Sequence, residues 1–125
     1  MTFKFSKSSK QKLEQCDIRL QHLCNRMIDR SDFDLTITCG HRNQEEQEKA
    51  FNDGTSKAHY GQSKHNSLPS KAVDICPYPI NWSKKDVRWH KMVALAYDTA
   101  RELGINIRCG MFFSFEDYPH IELDQ

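Results

Sequence analysis

The chain has no long apolar run. No stretch of about 18 apolar residues occurs, so no transmembrane helix is expected. The N-terminus also lacks the apolar segment, roughly 7–15 residues long, of a secretory leader. Net charge is nearly absent: 18 Lys and Arg stand against 17 Asp and Glu, or +1 at pH 7. That leaves no broad electrostatic footprint for nucleic acid and no interleaved basic-aromatic surface pattern. The exception is the basic start, Lys4, Lys7, Lys10 and Lys12 with no acid before Glu14, which reads as a solvated helix face. The 5 cysteines are odd in number, irregular in spacing and without a Cys-x-x-Cys pair. This excludes a disulfide framework and a thiolate zinc finger. Cys16, Cys24, Cys39, Cys76 and Cys109 read instead as small buried hydrophobes of a reduced protein made in a reducing cytoplasm. Repeats and low-complexity segments are absent too.

What is present is one domain, residues 1–125, long enough to bury a core without staples. Ser8 to Gln11 reads as a capping box. It opens a helix carried by Leu13, Cys16, Leu20, Leu23, Cys24 and Met27 and ending near residues 29–31. Phe33 to Thr38 alternates as a strand. Asn43 with Glu46 caps a short helix that Asp53-Gly54 stops. Residues 54–70 have no period and read as a long loop of the functional kind. Lys71 to Cys76 is a strand. Ser83 with Asp86 opens a third helix, with Trp89, Val93, Ala96, Tyr97, Ala100 and Leu103 on its buried face and Gly104 as its stop. Ile105 to Cys109 and Pro119 to Leu123 are the last strands. The sum is α+β, with about three helices on a small, mainly antiparallel sheet.

Two segments carry chemistry. One runs from Ser63-Lys64-His65 to Ala72-Val73-Asp74; the other is Asp117-Tyr118-Pro119-His120. Together they offer two imidazoles and two carboxylates, the donor types of a catalytic zinc site with a place left for water. His65, Asp74 and His120 can fill three ligand positions, which leaves Asp117 as a base. On spacing alone, a solvated surface histidine is the commoner outcome in a chain with 6 His.

These segments resemble the fingerprint of the VanY-like zinc peptidases, which include D-Ala-D-Ala carboxypeptidases and phage L-alanyl-D-glutamate endopeptidases. In that family Ser-x-His opens a stretch closing with Ala-x-Asp, and a later Asp-aromatic-Pro-His completes the site. The likeness continues in Phe3-Lys4-Phe5-Ser6, in Gly40-His41-Arg42 after a strand, and in Leu103-Gly104-Ile105 followed by Arg108-Cys109-Gly110. One departure is the stretch from His65 to Asp74. It is two residues longer than the common His-x-x-Gly-x-Ala-x-Asp form, with Ser70 where the glycine would stand and Leu68-Pro69-Ser70 available as an alternative turn.

The resemblance implies a hedgehog/D-Ala-D-Ala-peptidase-like fold and one Zn2+ held by His65, Asp74 and His120. It implies Asp117 as general base and Arg42 as catalytic or substrate-binding, holding a substrate carboxylate or a developing oxyanion. Ser63 matches the family serine and either binds substrate, orients a ligand or caps the loop. His41, His59 and His90 are left out of the site. Glu122 can act as an outer charge, and Tyr78, Trp82 and Phe113 are either an aromatic rim or core. The implied activity is hydrolysis of a peptidoglycan stem peptide at L-Ala–D-Glu by an endolysin-type enzyme. The implied setting is synthesis in the host cytoplasm without a signal peptide, release through a holin-type pore, action as a monomer, and no membrane insertion or nucleic-acid partner. The alternatives are a D-Ala-D-Ala carboxypeptidase or dipeptidase and, from another class, a non-catalytic zinc-containing binding module.

Overall fold

A computed structural model describes residues 2–124. In chain order the elements are α1 (Lys7–Leu13), α2 (Ile18–Arg30), β1 (Asp34–Cys39), α3 (Gln44–Asn52), β2 (Ala72–Tyr78), α4 (Val87–Leu103), β3 (Ile107–Cys109) and β4 (His120–Leu123). The sheet order is β1-β2-β4-β3 with every pair antiparallel. The α+β expectation holds, with one correction: the first expected helix is two.

The break has two causes, one local and one distant. Asp17 accepts the Arg19 N–H and so caps α2 afresh. The Gln15 carbonyl, which an unbroken helix would give to residue 19, accepts the Ser70 N–H at 2.8 Å, and Asp17 N–H donates to Ser70 O at 2.8 Å. Cys16 stays buried through the break, so the apolar period runs across it unmarked. The cap of α1 is Ser6, which accepts the Ser9 N–H, and not Ser8. At α3 the reciprocal Asn43–Glu46 box forms as expected. At α4 the cap is Asp86 alone, and Gly104 ends the helix at φ 71 in the left-handed region. Tyr97 and Leu103 are exposed on α4 instead of buried; the Tyr97 hydroxyl accepts the Cys109 N–H at 3.0 Å.

One core forms between the helices and one face of the sheet. Val73, Ile75, Ile121 and Leu123 meet Leu20, Leu23, Met27, Trp89, Met92 and Ala96 there. Alternation along the strands then turns Asp74, His120 and Glu122 to the opposite face. Asp74 lies directly across from His120, and Ala72 from Glu122. A bulge at the end of β1 sets both Ile37 and Cys39 against consecutive β2 residues, Ile75 and Asp74, with Thr38 looped between.

Residues 54–70 carry no strand or α-helix, only a short 3-10 turn at Lys64–Asn66. Ser70, in the place of the family's glycine, is fully buried. Its hydroxyl donates to Ala72 O at 2.6 Å or to Gly40 O at 3.2 Å. It has no positive φ, so nothing in the backbone there requires glycine. Among the described residues no helix is long and apolar enough to cross a membrane.

Candidate metal centre and active site

His65 is carried on the 3-10 turn that follows the long loop. Ser63 caps this turn: its Oγ accepts the His65 N–H at 3.2 Å, while Asn66 Oδ1 accepts the Ser63 N–H at 3.1 Å. The imidazole is 1% exposed. Its Nδ1 lies 2.7 Å from Gly40 O. A carbonyl can only accept, so Nδ1 carries the hydrogen and Nε2 presents its lone pair. Nε2 is 3.2 Å from Asp74 Oδ1.

His120 is arranged in the same way with the nitrogens exchanged. Its Nε2 lies 2.8 Å from Glu122 Oε1, so that nitrogen is the donor. Its Nδ1 is 3.5 Å from the same Asp74 Oδ1. Two imidazole lone pairs and a carboxylate oxygen therefore face one another in a buried pocket. Such a set is stable only with a cation, a proton or a metal ion, between its members. Burial opposes charge on Asp74, but the adjoining histidines hold its carboxyl well below the usual range. Burial pushes His65 down, yet Asp74 outweighs it and holds the imidazole up at about 10. His120 is raised above its ordinary value against the same burial, by Asp74 and Glu122. The donor set fits one divalent ion, which would take the protons' place.

A further donor was missed by pattern reading. Cys39, His65 and Asp74 each offer a ligand atom within 4.8 Å of one another, a group that can hold one metal ion. Cys39 Sγ sits 3.8 Å from Nδ1 of His65. That is the nitrogen committed to Gly40 O, whereas Asp74 meets Nε2, so the thiol approaches the ring from the side away from the lone pair. The other cysteines are free and buried, and burial pushes the Cys16, Cys76 and Cys109 thiols up to about 12. This fits their reading as inert core residues.

Asp117 stands at the edge of the pocket with its side chain 36% exposed and Oδ2 3.9 Å from His120 Nδ1. Burial, then the charge of Asp74, raises its carboxyl above the ordinary value. Its backbone N–H donates to Gly110 O at 2.9 Å. Gly110 has no alternative here: a Cβ would lie 2.3 Å from Asp117 O. Gly40 is equally confined, since a Cβ there would lie 2.2 Å from Lys12 O. Both glycines let backbone pass close behind a site residue.

Arg42 reaches Asp74 Oδ2 at 3.4 Å and Gln47 Oε1 at 3.3 Å. It thus steadies the carboxylate whose other oxygen meets the histidines. Gln47 is fully buried and was not singled out by sequence. Its amide donates to Ser56 Oγ and Ala58 O, and its oxygen also accepts from Asn66. It ties the long loop to Arg42, and nothing in the helical period marks it. Trp82 and Phe113 line clefts beside the centre, whereas Tyr78 lies at a distant depression with Lys4 and Asp34. His59 is turned to Glu48 at 2.9 Å and packs on Phe51, and His90 is exposed on α4.

A family model described as phage L-alanyl-D-glutamate peptidase matches residues 1–124. The L-alanyl-D-glutamate peptidase of Escherichia phage T5 is 31% identical over 127 residues, spanning 98% of this chain and 90% of that protein. The crystal structure of the Serratia marcescens L-Ala D-Glu endopeptidase ChiX is similar with a TM-score of 0.80 at 22% identity, over 96% of this chain and 89% of that one. At that identity the structural likeness speaks for the fold alone.

Proposed function

The chain belongs to the phage L-alanyl-D-glutamate peptidase family, and from that premise we propose that it hydrolyses the L-Ala–D-Glu bond of peptidoglycan stem peptides. The observation that carries the reading is the convergence of His65 Nε2 and His120 Nδ1 on Asp74 Oδ1, with Asp117 at the rim. Residues 1–125 act as one catalytic domain. One zinc ion is held by His65, Asp74 and His120, Cys39 being turned to the wrong side of the His65 ring. When bound, zinc supplies Lewis-acid polarisation and an acidified water.

The side chains supply the rest. Asp117 accepts the proton of the attacking water and returns it to the departing D-Glu amine, a shuttle suited to a carboxyl raised above its ordinary value. Arg42 places its guanidinium beside the reacting carbonyl and stabilises negative charge that develops on it. Ser63 works through the turn it caps, fixing His65, and lines the substrate cleft. Gly40 O and Glu122 fix the two imidazole tautomers. Glu122→Ala is therefore expected to weaken zinc binding about 10- to 100-fold while leaving the fold intact. Competition with a metal-sensitive dye measures this, and unchanged affinity would detach Glu122 from the centre.

The enzyme is made in the host cytoplasm as a monomer and reaches the wall through a holin-type pore. Digestion of purified peptidoglycan is expected to expose new amino termini on D-Glu, with L-Ala left on the glycan. Mass spectrometry of the digest decides the bond. Free D-Ala without new D-Glu termini would make the enzyme a carboxypeptidase, and zinc binding without any release would leave only a binding module.

A further inference from the structure

Two of the clefts that adjoin the centre differ in their chemistry. We propose that the cleft of Trp82 binds the muramic-acid sugar that carries the stem peptide, which fixes the direction in which substrate crosses the centre. The assignment rests on the peptidoglycan reading above and goes beyond it by naming the sugar as part of what is recognised.

Trp82 is 64% exposed, an unusual position for the largest apolar side chain. It is not loosely held. Its ring stacks on Trp89 with centroids 5.7 Å apart and planes 28° from parallel. Trp89 is buried, and its indole N–H donates to Asn81 O at 2.8 Å. Asn81 Oδ1 in turn accepts the Ser83 N–H at 3.0 Å. The backbone on both sides of Trp82 is thereby pinned, and the ring is presented outward on a rigid support. A preorganised aromatic face of this kind binds at little ordering cost. Its cleft, about 450 Å³, also includes Arg42, Asp74 and Asp117, so it is continuous with the centre and large enough for a small ligand.

Charge separates the two sides. In the Trp82 cleft Lys84 and Glu116 neutralise each other at 3.2 Å, and Arg42 stands against Asp74 and Asp117, so the lining is anionic on balance. The second cleft, which shares Arg42 and Asp117 with the first, has Arg42, Lys57 and Lys64 against Asp117 and Glu122, and so is cationic on balance. The substrate is equally lopsided. L-Ala hangs from the lactyl group of muramic acid, which brings an uncharged pyranose within roughly 10 Å of the scissile bond, since a residue spans about 3.5 Å. Beyond the bond, D-Glu continues the chain through its γ-carboxyl and leaves its α-carboxylate free. A carboxylate calls for cations, and a sugar's C–H face suits an aromatic ring. The indole-lined cleft, with no cation in excess to hold a carboxylate, therefore takes the uncharged glycan, and the basic cleft takes the D-Glu side.

The test compares two soluble substrates, a disaccharide–stem peptide and the same peptide without sugar, with kcat and KM measured for each. Trp82→Ala should lower kcat/KM on the sugar-bearing substrate roughly three- to tenfold, through KM, and leave the bare peptide unchanged. Trp82→Phe should recover most of the loss. In the wild type, the sugar-bearing substrate should also perturb tryptophan fluorescence, of which Trp82 is the exposed source. Equal loss on both substrates, or loss on neither, would overturn the sugar assignment while leaving the peptidase reading intact. Failure of the wild type to release a D-Glu terminus from either substrate would overturn both.

Discussion

Replacing His65 or His120 with alanine is expected to remove both zinc and hydrolysis. Each substitution takes one of two imidazole lone pairs from Asp74 Oδ1, which they approach at 3.2 and 3.5 Å. The remaining pair of donors is too few for a tight site, since catalytic zinc is held by about three protein ligands. Metal polarisation contributes several kcal/mol to such reactions, so activity should fall by at least about 10³-fold. Elemental analysis and a cell-wall turbidity assay read the two effects, and circular dichroism shows whether each variant folds. Full zinc occupancy in both folded variants would refute the ligand assignment.

Asp117→Asn is expected to do the reverse with metal, keeping it while losing roughly 10²- to 10⁴-fold in rate. Asparagine preserves the shape and the backbone bond to Gly110 but cannot take a proton. The proposed role agrees with its position: Asp117 approaches His120 Nδ1 only at 3.9 Å and keeps part of its side chain in solvent. Burial and the neighbouring Asp74 charge raise it, which moves its proton affinity toward that of the groups it must serve. Loss of zinc in this variant would make Asp117 a ligand; near-normal rates would remove it from the mechanism.

Much of this was legible in sequence because it is local. The Asn43–Glu46 box, the Gly104 stop and the alternation of β2 and β4 each depend on residues a few positions apart. The Asp74–His120 pairing was anticipated only through family likeness, since no spacing specifies which strands neighbour. The break between α1 and α2 was hidden because half of its cause, the backbone pairing of Gln15 and Asp17 with Ser70, lies far along the chain. Gln47 and Cys39 were hidden for the same kind of reason. One sits on an ordinary polar helix position and the other on a strand end, and only the fold brings them to Arg42 and His65.

The confinement of Gly40 and Gly110 has a consequence for how this enzyme can diverge. Any side chain at either position drives into the backbone behind the centre, so both are closed to gradual change. The cleft walls are different. Thr55, Lys57, Trp82 and Lys84 line them from loops, each with its side chain exposed. Altered preference among bacterial walls is therefore accessible through those loops by single steps, without disturbing the centre. A library diversified there should yield folded variants with new host ranges, while one aimed at the two glycines should yield mostly inactive protein.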